Sequence, residues 1–210
     1  MSAGPSSHRR RHEVIARAGE FLIRPRVESD LVNDYAWRRD PALARYEGQP
    51  PLAISFDDYV ARTELEVAFH SGSHESFSID DGDGYHVGSI MYYNASAGRE
   101  SAELGMILGD PAARGRGAGS ALMVAFLRHL WATYPFRVLV LHTLEWNERA
   151  LRSFHRAGFD DSARVYRDPE WFVRMEARRE WWLMWDGEGR FDSVAEPRAP
   201  ASTDTESADS

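Results

Sequence analysis

Hydrophobic and polar positions along the chain change period several times, and each change marks an element. Phe21, Ile23 and Pro25 alternate with Leu22, Arg24 and Arg26, which predicts an opening strand. Glu28, Ser29 and Asp30 then offer a capping start for a helix whose Leu31, Val32, Tyr35, Ala36 and Trp37 recur at helical spacing. Residues 40–55 (DPALARYEGQPPLAIS) are rich in turn formers and read as a loop. Ser55 at its end can cap a second helix that carries Phe56, Tyr59, Val60, Leu65 and Val67.

A period of two follows. SFSID, YHVGSIMYYN and ESAELGMIL are strand-like runs separated by DDGDG and ASAGR, whose Gly, Asp and Asn content marks hairpin turns. The period then returns to that of a helix, with Leu122, Phe126 and Leu130 on one face beside Met123 and Leu127, directly after a cluster of glycines. RVLVLHT is short and nearly all apolar, as expected of a strand buried on both faces. NERALRSFHRAGF predicts a helix with Ala150, Leu151 and Phe154 inward and Gly158 as its stop, and FDDSARVY and REWWLMW read as closing strands. The order is that of an α/β domain with one central mixed, mostly antiparallel sheet of about seven strands, flanked by helices on both faces.

The ends differ from this middle. Residues 1–20 are small, polar and basic around Arg9, Arg10 and Arg11, and read as a flexible arm; 21–186 is the expected domain. From 187 to 210 the chain is acidic and poor in apolar residues, so the expectation is a disordered tail.

Two absences narrow the chemistry. The 210-residue chain has 0 Cys, and all 25 of its Lys-plus-Arg positions are Arg. Thiolate nucleophiles, disulfides and Cys-based metal sites are excluded, as are Schiff-base lysines and the lysine of a P-loop. His70, His74 and His86 lack compact metal-ligand spacing, so no metal is expected. A net charge of -8 argues against a nucleic-acid partner and suits a cationic or amine ligand. No signal sequence or membrane span is apparent, which predicts a cytoplasmic protein, monomeric or homodimeric, with no membrane partner.

The most informative segment is Gly109 to Ser120, GDPAARGRGAGS, between a predicted strand and a helix. Free amides and the positive dipole end at a helix N-terminus suit a phosphate, Gly115, Gly117 and Gly119 clear the approach, and Arg114 and Arg116 add charge. A dinucleotide loop would space its glycines differently and follow the first strand. A purely structural glycine turn remains the other reading of this segment.

Here the sequence resembles the GCN5-related N-acetyltransferases (GNAT), whose coenzyme A loop reads Gln/Arg-x-x-Gly-x-Gly/Ala. Arg114, Gly117 and Gly119 match it, with Ala118 and Ser120 completing the helix start and Pro111 at a position where the family commonly has proline. Asn147, Ala150, Gly158 and Phe159 reproduce the family's N-x-x-A...G-F helix, and LIRPRVESDL resembles its opening strand and helix start. The resemblance covers about residues 21–186 and is closest to the branch of ribosomal-protein-alanine and spermidine acetyltransferases, with AWRRDPALARY, AELGMIL and WNERALRSFHRAGF as its signatures.

The resemblance implies direct acetyl transfer from acetyl-CoA to a primary amine, either of a small molecule or of a protein N-terminus. It implies that Ile107, Leu108 and Gly109 border the thioester and pantetheine, that Gly115 to Ser120 hold the pyrophosphate, and that Asn147, Ala150 and Phe154 flank the cofactor. Glu103 and His142 are the candidate general bases. The family's usual tyrosine, seven residues after the Asn, is replaced by Phe154, which leaves Ser153, Tyr166 or solvent as the proton source for the leaving thiolate. That substitution also sustains an alternative, a catalytically silent acyl-CoA-binding module of the same fold. Whether the acyl group is acetyl or longer, and which amine accepts it, are not encoded in these motifs. Tyr92, Tyr93 and Asn94, and the aromatics Trp171, Phe172, Trp181, Trp182 and Trp185, are expected in an acceptor pocket, a dimer seam or the core.

Overall fold

The structure, a computed structural model, describes residues 13–195 apart from 70, 71, 97, 99 and 116. The arginine cluster at 9–11, His70, Arg116 and the acidic stretch 196–210 therefore lie outside the described residues.

Eight strands form one sheet: β1 (Ala16–Ala18), β2 (Phe21–Pro25), β3 (Glu75–Asp80), β4 (His86–Tyr93), β5 (Ser101–Leu108), β6 (Val138–Leu144), β7 (Asp160–Arg167) and β8 (Glu170–Arg178), in the order β1-β2-β3-β4-β5-β6-β8-β7. Every neighbouring pair is antiparallel except β5 with β6. The helices are α1 (Leu31–Arg39), α2 (Pro41–Glu47), α3 (Phe56–Phe69), α4 (Ala118–Thr133), α5 (Glu148–Arg156), α6 (Arg179–Gly187) and α7 (Asp192–Ala195). Among the described residues no helix is long and apolar enough to cross a membrane.

The two faces of the sheet are held by different physics. One face is apolar: Phe77, Ile79, Ile90, Leu104 and Leu141 are buried with Leu122, Phe126 and Leu130 of α4 in a single hydrophobic cluster. Burial of that many large side chains, each contributing about 1.5–3 kcal/mol, makes this layer the main source of stability.

The opposite face is held partly by charge. Arg24 of β2 forms two forked pairs, to Asp80 (2.6 and 2.8 Å) and to Asp30 (2.7 and 2.9 Å), just before α1. Asp30 also accepts from the Ser78 hydroxyl (2.6 Å) and the Val27 amide (2.9 Å), while Ser89 donates to Asp34 one helical turn further on. The strands thus offer Arg24, Ser78 and Ser89, and the start of α1 supplies carboxylates at i and i+4, the spacing that puts both on one helix face. Burial alone would push the Asp30 carboxyl up, but its hydrogen bonds from Arg24, Ser78 and Val27 hold it at about 2. Asp34, with burial as its largest influence, is raised.

Three sequence expectations are corrected. The loop at 40–55 contains α2: the Asp40 side chain accepts from the Ala42 amide (2.8 Å), Pro41 takes the first turn, and Gly48 closes it at φ 65°. The expected strand REWWLMW is instead helix α6, and the strand ahead of it, EWFVRMEAR, is β8. Lastly, the folded unit exceeds 21–186 at both ends. Ala18 of β1 is fully buried, and Phe191 stacks on Trp182 with ring centroids 4.8 Å apart, over the left-handed turn at Gly158. Trp182 donates to the Ala157 carbonyl (2.8 Å), and Arg128 of α4 pairs with Asp186 (2.6 Å), so the chain through Ala195 packs on the domain.

Replacing Arg24 with Leu leaves Asp30 and Asp80 buried without their countercharge, and is expected to cost about 3–5 kcal/mol in denaturant unfolding. Because the Asp30 pKa is depressed from 3.8 to about 2, its contribution is complete above pH 3.8 and is lost as pH falls through 2. Melting temperature measured against pH should therefore fall on the acid side, and the part of that fall due to Asp30 should vanish in Asp30→Asn.

Candidate active site

The site begins where the sheet opens. β5 and β6 pair at Ser101–Val138, Ala102–Leu139 and Glu103–Val140, and no further. Each strand keeps its outer partner: β4 follows β5 to Leu108, and β8 follows β6 to Leu144. The facing edges of 104–108 and 141–144 therefore carry backbone groups without strand partners, which must be met by water or ligand.

The loop after β5 is shaped by three devices. Asp110 accepts from the Ala112 amide (2.8 Å) and starts a single 3-10 turn, Pro111–Ala113. Arg114 folds back, its guanidinium donating to the carbonyls of Leu108 (2.8 Å) and Gly109, so it ties the loop to the strand end. Gly115 and Gly117 then adopt φ of 91° and 86°, and Gly117 caps α4 without a side-chain hydrogen bond of its own. A methyl group built on either glycine would meet nothing within 4 Å, so there is open space above the N-terminus of α4. That opening at a helix N-terminus fits a pyrophosphate.

The other loop residues act differently. Gly119 is small for packing, since a Cβ there would come within 3.0 Å of the Ser153 hydroxyl on α5. Ser120 and Ser153 are hydrogen-bonded at 3.0 Å. Ala118 is buried in the core beneath the loop. Gly109 lies under the indole of Trp37, where a Cβ would sit 2.0 Å from the ring. On α5, the Asn147 side chain accepts from the Ala150 amide (3.2 Å), which explains the spacing of that motif as a helix cap. Phe154 packs edge-on to Phe159, centroids 6.1 Å apart.

A cleft of about 1300 Å³ joins these parts. Its lining includes Ile107, Leu108, Arg114, Gly115, Gly117 and Gly119, together with Arg38, Glu47 and Tyr46 and with Glu103 and His142. Asn147, Ala150, Phe154, Ser120 and Ser153 also line it, whereas Tyr166 is exposed on the β7–β8 hairpin with its hydroxyl on Asp168. No cluster able to hold a metal occurs among the described residues.

The two acid-base candidates are in contact. His142 Nδ1 lies 2.8 Å from Glu103 Oε1, and the same oxygen accepts from the Tyr93 hydroxyl at 2.9 Å. Asn94, at φ 53°, brings its side-chain amide to 3.4 Å from the second oxygen. Burial pushes the Glu103 carboxyl up, yet the hydrogen bonds from Tyr93 and His142 outweigh it and its pKa is lowered. Burial and the Glu103 charge both raise that of the Tyr93 hydroxyl, which stays protonated. Sequence reasoning placed Tyr93 only among aromatics closing a strand. The signal that could have found it is the hairpin register, which sets Tyr93 directly opposite Glu103.

The acetyltransferase (GNAT) domain family matches residues 20–160. The chain belongs to that family. It is accordingly an N-acetyltransferase that takes acetyl-CoA as co-substrate. The spermidine N-acetyltransferase from Vibrio cholerae, solved with CoA and spermine, superposes with a TM-score of 0.70 at 18% identity, over 78% of this chain and 98% of that one. The aminoglycoside acetyltransferase AAC(6')-Ib, solved with coenzyme A, gives 0.66 at 19% identity, over 78% and 98%. Its complex with coenzyme A and kanamycin gives 0.65, also at 19% identity and over 78% and 98%. At these identities the likeness is one of fold. No curated protein matches the chain in sequence.

Gly109→Ala in this acetyltransferase should force Trp37 from its place over the strand end. The expected cost is about 1–3 kcal/mol of overpacking, read from the denaturant midpoint, with the indole displaced in a structure of the variant.

Proposed function

We propose that the acetyltransferase acylates a primary amine, of a small molecule or a protein N-terminus, with His142 as general base and Glu103 as the carboxylate that orients it. The observation that carries this reading is the Glu103–His142 contact of 2.8 Å inside the cleft, beside the strand opening. An ionised carboxylate only accepts hydrogen bonds, so Nδ1 must donate and the lone pair is left on Nε2. That nitrogen can take a proton from an alkylammonium, whose ordinary pKa of about 10.4 otherwise keeps it unreactive at neutral pH.

The thioester co-substrate supplies the electrophilic carbonyl. The unpartnered edge of β5 around Ile107 and Leu108 offers amides to the charge that develops on its oxygen. The open space over Gly115 and Gly117, at the positive end of α4, suits its pyrophosphate. As the amine nitrogen bonds to the carbonyl carbon it becomes cationic; it gives its surplus proton to solvent as the carbon–sulfur bond breaks and the thiolate departs. With Phe154 unable to donate a proton and Tyr166 outside the cleft lining, the proton on His142 or one from solvent neutralises that thiolate, which at an ordinary thiol pKa of about 8.5 leaves readily. An acceptor entering between α2 and the end of β4 meets Glu47 and Arg38, groups of both signs, which suits an amine bearing a second polar group.

Acetyl-CoA with a panel of amines, peptides and aminoglycosides that includes spermine and kanamycin should release CoA thiol and add one acetyl mass to the acceptor. His142→Gln should lower kcat about 10²–10⁴-fold with coenzyme A affinity kept. Gly117→Glu should do the reverse and abolish binding in calorimetry. Coenzyme A binding without thiol release across the whole panel would instead favour a silent acyl-CoA-binding module.

A further inference from the structure

The hydroxyl of Tyr93 has one hydrogen bond among the described residues, to Glu103 Oε1, the oxygen that also faces His142 Nδ1. Its chain neighbour Tyr92 points to the other face of the sheet, where it is buried against Tyr134 and Phe136. Tyr93 belongs to the cleft wall instead. A packing role at this place would be served by phenylalanine equally well, so the hydroxyl calls for a separate reason.

We propose that Tyr93 is a positioning residue of the acid-base pair: it anchors Glu103 Oε1 so that the carboxylate holds His142 with a proton on Nδ1 and a free Nε2. The inference rests on His142 as general base and adds the group that fixes its state. Tyr93 stays protonated and the carboxylate only accepts, so the direction of the Tyr93–Glu103 bond is settled. With the Asn94 amide near Oε2, the carboxylate has a donor at each oxygen besides the imidazole and little freedom to rotate. The shared oxygen also divides its electron density between two donors. Glu103 is thereby kept from binding imidazolium so tightly that the histidine would remain charged and unable to act as a base.

The surrounding charges do not perform this task. Arg174 stands directly across from His142 on β8, but it is held by Glu176 and Ser162. Arg178 is also committed to Glu176. Arg167 and Glu47 act on Tyr93 through space with opposite signs, and neither bonds to Glu103. Removing the Tyr93 hydroxyl therefore leaves one fewer donor on Oε1, a more basic carboxylate, and a more strongly stabilised imidazolium.

The test is a pH titration of the ring nitrogens by long-range proton–nitrogen NMR on 15N-histidine-labelled enzyme, with the His142 signal assigned by its absence in H142Q. Wild type should hold the Nδ1–H tautomer in its neutral form, and the Y93F midpoint should lie above that of wild type. In kinetics with an accepted amine, the acid limb of kcat/KM should move upward by the same interval, while KM for acetyl-CoA stays unchanged. An Nε2–H tautomer in wild type, or a Y93F midpoint that is unmoved or lower, would overturn the proposal. Neither the tautomer nor the titration needs an acceptor amine, so failure here is distinguishable from failure to acetylate amines.

Discussion

Parallel pairing between β5 and β6 lasts for three residues, and the separation that follows gives up backbone hydrogen bonds that a continuous sheet would keep. That loss is what makes a binding edge. Leu104–Leu108 remain anchored by β4 and 141–144 by β8, so the opening is rigid on both sides. The glycine loop continues directly from the end of β5, and the cap of α5 follows soon after the end of β6. Both cofactor-facing elements thus take their positions from the same divergence. Glu103 is in the last paired position and His142 lies just beyond it, close enough to touch while the strands are already parting.

The apolar layer and the polar layer divide the work between them. Leu122, Phe126 and Leu130 give α4 a deep seat on one face, and this keeps the start of the loop fixed. On the other face Arg24 and its two aspartates hold the entry to α1 without filling the space with hydrocarbon. Trp37 leaves that helix to cover Gly109, so the acceptor-side helix and the cofactor loop share a contact. A buried ionic cluster is a costly means of docking a helix, but it fixes the direction of approach more closely than apolar packing does.

Much of this was legible in the chain. Alternation located β2 to β5, helical spacing located α4, and Ser55 does cap α3, its hydroxyl accepting from the Asp58 amide (3.2 Å). The misreadings have physical causes. In DPALARYEG the Asp, Pro and Gly have the composition of a turn, although Pro in the first turn and Gly after the last one are also how short helices are punctuated. REWWLMW is apolar enough for a strand but holds no β-branched residue, and only Trp182 of its aromatics is buried. In β8 the buried Val173, Met175 and Ala177 alternate with Arg174, Glu176 and Arg178, so the period of two runs through 173–178, just ahead of the more apolar REWWLMW. Glu103 and His142 could each be nominated from sequence, but their contact depends on a parallel register between segments 39 positions apart, and no local pattern carries that.

β8 pairs with β6 along all of Val138–Leu144, whereas β5 supports it for three residues. The strand that bears His142 is thus aligned chiefly by the segment 170–178, well past the family match, which ends at 160. On a ribosome, β1 to β6 and α4 would all have emerged before that support exists. The nascent domain could collapse around α4 early, yet His142 would have no fixed place relative to Glu103 until nearly the whole folded unit had been made. The contact on which the proposed acid-base pair rests is therefore fixed late in synthesis, once β8 closes on β6.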